Sequence, residues 1–133
     1  MTIVELNNTI KSICSFNYNE GSIYDLNNKT NIKYPLINFH INYVRSNNSL
    51  LTVNCSLIYV DRLIQDNSNK LLIQSDGIIY LKEIINRLYN IGIEAESNYI
   101  ITPFNESFND ITAGNFVTLN LTIPDELSDC EEY

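Results

Sequence analysis

Tryptophan is absent from this chain, and histidine occurs once, at His40. A lone histidine with no Cys or His neighbours at ligand spacing is a poor nucleus for a metal site. It also has no sequence-local partner that would make it a general base. The three cysteines, Cys14, Cys55 and Cys130, are scattered and odd in number. That excludes a complete disulfide framework and offers no paired metal-ligand spacing. Cys14 and Cys55 fall on apolar faces, as buried thiols do, whereas Cys130 sits in an acidic tail. Glycine is equally sparse, and the four glycines stand alone, so no phosphate-cradling loop exists. No Gly-x-Ser-x-Gly elbow appears, nor the Asp-x-Asp-x-Asp-Gly layout of a calcium loop. Catalytic residues, cofactor-binding residues and metal ligands are therefore all expected to be none.

Positive charge is the other shortage. Eight Lys and Arg face sixteen Asp and Glu, a formal net charge of −8. Such a chain has no electrostatic footprint for nucleic acid. It is equally unsuited to docking on anionic lipid. Lys82 and Arg87 fall on the outer face of a helix and make no basic stripe. No apolar run approaches the roughly 18 residues of a membrane helix, and no charged-then-apolar leader opens the sequence.

What remains is rich in Asn, Ile and Tyr, with alanine confined to Ala95 and Ala113. Asn, Ile and Tyr have A/T-rich codons and Ala has G/C-rich ones, so an AT-rich genome accounts for the bias. The Asn-x-Ser/Thr triplets, such as Asn54-Cys55-Ser56, then follow by chance. A length of 133 residues with 44% hydrophobic content suits one domain with a real core.

Periodicity organises that domain. Ile3, Leu6, Ile10 and Ile13 share one stripe, which predicts a helix over Thr2–Ser15. Thr2 stands as its N-cap, with Glu5 completing a capping box. Asn17–Asn31 is rich in turn formers and reads as a long ordered loop. Alternation predicts a strand over Lys33–Arg45, with Ile37, Phe39, Ile41 and Tyr43 inward and Asn38, His40 and Asn42 outward. The turn Ser46–Ser49 leads to a second strand over Leu50–Asp61, so the two form a hairpin. A long helix follows over Ser68–Tyr89, carrying Leu71, Leu72, Ser75, Ile78, Leu81, Ile85 and Leu88 on its stripe; the alternative makes Leu71–Gln74 a short strand, with the helix capped by Ser75 or Asp76. Ile78, Leu81, Ile85 and Leu88 are expected to bury against Ile37, Phe39, Val53 and Leu57. A third strand is expected over Glu94–Thr102, ended by Pro103. A polar loop spans Phe104–Asp110, and a fourth strand runs over Asn115–Ile123. Asp125–Tyr133 forms an acidic, solvated tail. These elements predict an α+β fold: a four-stranded, mostly antiparallel sheet with two helices on one face, in the order α-β-β-α-β-β.

Asp61 and Arg62 close the second strand and read as a strand-end ion pair or a subunit contact. Asp66 and Asp76 flank the start of the long helix, where acidic groups suit the helix dipole. None of these makes a reaction centre, so the residues favour an interaction module over an enzyme.

Four segments carry a resemblance: Tyr34-Pro35-Leu36-Ile37-Asn38-Phe39, Tyr59-Val60-Asp61-Arg62-Leu63, Ile73-Gln74-Ser75-Asp76-Gly77-Ile78 and Thr112-Ala113-Gly114-Asn115-Phe116-Val117. In that order they resemble small neck and tail-completion proteins encoded by phages and prophages of Bacteroides-type bacteria. The element order is similar to the tail-terminator fold of long-tailed phages. The likeness spans Tyr34–Pro124. It implies a virion structural protein of the neck or tail, assembled in the host cytoplasm. It further implies self-association into a six-fold or twelve-fold ring, with the portal or other neck and tail proteins as partners. DNA would pass through without specific binding, and no membrane or cofactor would be involved. The competing readings are a small acidic adaptor or inhibitor that binds a host protein, and an enzyme centred on His40 and Asp61.

Overall fold

The computed structural model describes residues 1–14, 17–22, 32–64, 68–107 and 111–124. Its elements run α1 (Ile3–Ile13), β1 (Asn17–Glu20), β2 (Leu36–Asn47), β3 (Leu50–Arg62), α2 (Lys70–Asn90), β4 (Glu94–Ala95), β5 (Ile101–Ser107) and β6 (Ile111–Pro124). The expected tail and the loop beyond Ser22 lie outside the described residues, as do Asp66 and Cys130.

α1 begins where the capping signal places it. The Thr2 hydroxyl oxygen accepts the Glu5 backbone N–H at 3.1 Å, and the hydroxyl donates to the Glu5 carboxylate at 3.2 Å. One orphan amide of the first turn is thereby satisfied. Leu6 and Ile10 are buried.

The sheet has six strands and is mixed, which overturns the expected four-stranded, mostly antiparallel sheet and its α-β-β-α-β-β order. The path across it is β1-β2-β3-β6-β4, and β5 pairs with β6 on the same side as β4. Two local causes add the extra strands. β1 pairs parallel with β2, Tyr18 beside Ile37 and Asn19 beside Asn38. Its sequence, Asn-Tyr-Asn-Glu, has no apolar alternation. Side-chain bonds hold it instead: Asn19 Nδ2 donates to Asn38 Oδ1 at 2.7 Å, and the Tyr18 hydroxyl donates to Asn7 Oδ1 on α1. The third expected strand splits into β4 and β5, and β5 continues through Pro103 to Ser107. Proline is tolerated there because β5 pairs on one side only, with β6.

The hairpin β2–β3 forms as expected, but its phase shifts. A bulge between Ile41 and Tyr43 places Tyr43 opposite Asn54 and Val44 opposite Val53. Tyr43 therefore joins the outer face, contrary to the inward position that strict alternation gives it. The core face then reads in rows across β2, β3 and β6: Ile37–Tyr59–Asn115, Phe39–Leu57–Val117, Ile41–Cys55–Leu119 and Val44–Val53–Leu121.

Both helices cover this face and share one contiguous core with it, through Leu6 and Ile10 of α1 and Ile73, Leu81, Ile84, Ile85 and Leu88 of α2. Leu81, Ile85 and Leu88 are buried as expected. Ile78 is not; it is 41% exposed, and Leu71, Leu72 and Ile79 are more exposed still. The buried seam instead runs through Ile73 and Gly77. Gly77 lies against the sheet so closely that a Cβ there would stand 2.3 Å from Asn115 Nδ2 and 2.8 Å from Tyr59 Cδ1. The small residue brings the helix down on the sheet and rotates the larger apolar residues outward.

Candidate functional site

No described helix is long and apolar enough to cross a membrane. Among the described residues no group of three His, Cys, Asp or Glu side chains converges as a metal would require. His40 is half-buried on the outer face, opposite Ser56. Asp61 accepts the Arg62 backbone N–H at 2.8 Å, so its carboxylate caps the strand end. Asp76 lies in the second turn of α2, half-buried, and not at the helix start. The N-cap of that helix is Asn69, whose side chain is committed to the β3–α2 connection: Oδ1 accepts Ile64 N–H at 3.0 Å, and Nδ2 donates to Arg62 O at 3.2 Å.

The two described thiols, Cys14 and Cys55, are held inert. Burial pushes the Cys55 thiol up to about 12. Burial pushes Cys14 up to about 11, a rise only partly offset by the Arg87 guanidinium. The thiolate is the reactive form, so neither cysteine is a nucleophile near neutral pH. Burial likewise raises Tyr59, with the charges of Asp61 and Asp76 adding to the effect.

Two polar constellations are structural. On the outer face Asn54 bridges three strands: its Oδ1 accepts Asn42 Nδ2 at 2.9 Å and its Nδ2 donates to Asn120 Oδ1 at 2.8 Å. In the core Asn115 is fully buried, and its Nδ2 donates to Gln74 O of α2 at 2.6 Å. Gln74 Nε2 in turn donates to Phe104 O at 3.2 Å, tying α2 to β5. These amides fix α2 over the sheet, although Asn115 Oδ1 is buried without a hydrogen-bond partner.

A recess of about 480 Å³ lies where β2 starts and β3 ends, lined by Asn17, Ile32, Lys33, Tyr34 and Arg62. The Arg62 guanidinium carbon stands 5.3 Å from the centre of the Tyr34 ring, within cation–π range. Asn17 Nδ2 donates to Pro35 O at 3.1 Å, which fastens the first strand to the recess wall. Two of the chain's eight cationic side chains thus share one hollow, with no carboxylate among its described lining. Periodicity could not reveal this hollow, because its residues come from three separated segments. The only sequence signal was that Tyr34 and Arg62 both fall within resemblance segments.

The four resemblance segments meet at this same end of the sheet. Leu36 pairs with Val60, which pairs with Gly114; Tyr59 pairs with Asn115; and Gly77 rests on both Tyr59 and Asn115. Gly114 permits this closeness, since a Cβ there would stand 1.7 Å from Tyr59 O. No family model matches the chain, and no curated protein or solved structure shows a significant likeness to it.

Proposed function

We propose that this chain is a structural subunit of a phage neck or tail end, working as one copy in a ring around the DNA path. The observation that carries the reading is the convergence of the four resemblance segments. They lie far apart in sequence yet pack into one unit of β2, β3, α2 and β6, around Gly77, Gly114 and Asn115. What those residues specify is close packing of helix on sheet. A rigid scaffold is what a ring subunit needs.

The charge supports the same reading. A channel that passes DNA should not grip it, and a net charge of −8 repels phosphates. Rings are built from heterologous contacts, in which one patch meets a different patch on the next copy. The subunit therefore needs two unlike surfaces. Composition analysis of purified particles tests the proposal. The chain should be present in every particle, in several copies per portal ring. Its absence from particles, with a stable one-to-one complex with a host protein instead, would replace this reading with that of an acidic adaptor.

A further inference from the structure

We propose that the outer strip of α2 in one copy receives the tip of the β2–β3 hairpin of the next copy, with Asp76 meeting Arg45 across the contact. The inference rests on the self-association reading above and names the two unlike surfaces it needs. α2 carries apolar side chains on two sides. One side is the buried seam through Ile73 and Gly77. On the other, Leu71 and Leu72 recur seven residues later as Ile78 and Ile79. Seven residues fall about 20° short of two full turns, so the four side chains make one strip along the helix. All four are exposed, Leu71 at 75% and Leu72 at 63%. Scattered apolar residues are ordinary on a surface, whereas a contiguous strip marks an interaction site. Asp76 lies four residues after Leu72 and three before Ile79, so it borders the strip.

The hairpin tip is the complementary surface. Tyr43 lies opposite Asn54 and Arg45 opposite Thr52, so both share the outer face with Leu50, at even steps along β3. All three are exposed. The Arg45 guanidinium carbon stands 6.0 Å from the centre of the Tyr43 ring, which presents the charge and the ring together. Neither Arg45 nor Asp76 pairs with an opposite charge among the described residues. Antiparallel pairing of strip on strip would set the same Asp76 border on both sides of the seam, whereas the hairpin tip brings the opposite charge. The hairpin cannot reach the strip of its own copy. Gly77 rests on Tyr59 and Asn115, and Leu50 lies nine residues from Tyr59 along β3, roughly 30 Å at about 3.3 Å per residue. Tyr43 and Leu50 also stand on the sheet face away from α2. The contact therefore joins two copies through unlike patches, and its repetition gives a ring or a filament.

Charge exchange in the full-length protein tests this directly. Sedimentation of the wild type over a dilution series measures its association. Arg45→Asp and Asp76→Arg should each weaken association at least about tenfold, because like charges then meet. The chain carrying both exchanges should recover to within about threefold of wild type. Circular dichroism confirms that each variant folds. A second pair of variants keeps the test open if an exchange unfolds the chain. Tyr43→Ser with Leu50→Ser blocks the tip alone, and Leu72→Gln with Ile79→Gln blocks the strip alone. Each of these should stay monomeric, and their mixture should form a one-to-one pair that grows no further. A wild type that stays monomeric at millimolar concentration, a double exchange without recovery, or a tip variant that still dimerises would overturn the contact. If wild type still forms rings while these substitutions change nothing, the ring reading survives and only this contact fails.

Discussion

The two ends of the sheet are built on different physics. At the end where β2 begins, Leu36, Ile37, Asn38 and Phe39 are all buried, and Tyr59, Val60 and Asn115 are buried beside them. Both sheet faces are covered there. At the hairpin end β2 is exposed from Asn42 to Asn47, with Tyr43 49% and Leu50 46% accessible. Amides appear at both ends but behave differently. Asn38 is enclosed and satisfied on both sides, by Asn19 and by the Gly21 carbonyl at 3.0 Å. Asn42 bonds Asn54 and Ser56 in contact with water. The covered end is enclosed on both faces, whereas at the hairpin end the exposure falls on β2 and Leu50 while Val53, Leu121 and Ile123 stay buried.

That contrast is broken most readily by truncation. Phe39→Ala at the covered end should cost about 3–5 kcal/mol, as for a large buried aromatic. Tyr43→Ala at the hairpin end should cost under about 1 kcal/mol, because half its surface already meets water. Denaturant unfolding of the two variants measures both, and equal losses would erase the distinction.

A sharper test adds atoms in place of removing them. Gly114→Ala drives a Cβ into the Tyr59 carbonyl, and Gly77→Ala drives one into Asn115. Each should lose about 1–3 kcal/mol through overpacking. For Gly77 this outweighs the gain of about 1 kcal/mol that alanine brings to a helix interior. A stabilised Gly77→Ala would show that the helix does not rest on the sheet at that point.

Individual elements were legible in the sequence, but the strand count and mixed pairing of the sheet were not, and the failures have physical causes. Alternation located β3 and β6, and the cap Thr2 located α1, because each is a local signal. β1 was missed because its hold on β2 comes from amides and a tyrosine hydroxyl and not from an apolar face. The phase of β2 was lost at Asn42, since a bulge inserts a residue that alternation cannot see. α2 was rotated because Gly77 counts as neutral in an apolar stripe, yet it marks the tightest contact. The recess was illegible because Asn17, Lys33 and Arg62 meet only through strand pairing.

Polar substitutions sharpen the comparison further. Asn38→Ala strands buried partners and should cost about 1–3 kcal/mol. Asn42→Ala should cost under about half a kcal/mol, since water replaces its bonds. A double-mutant cycle with Asn19 should show coupling for Asn38.

A further prediction is a response to alkali. Cys55 and Cys14 have folded values raised from an ordinary value near 9 to about 12 and about 11. Their protonated forms favour the folded state, so this stability is fully present below pH 9. Above it the unfolded chain binds fewer protons, and stability falls as pH rises through 9 toward 11 and 12. The slope should be on the order of 1 kcal/mol per pH unit for each thiol. Cys55→Val should remove its share of the slope and leave that of Cys14, and an unchanged slope in that variant would rule out Cys55 as a source of the response.

We propose that the covered end of this sheet is a scaffold for assembly. A density map of the head–tail junction and tail end of intact particles tests it most directly. The account predicts copies of this chain in a closed six-fold or twelve-fold ring about the DNA path. Particles whose neck and tail rings contain no density for this fold, or hold it only as an isolated copy, would contradict it.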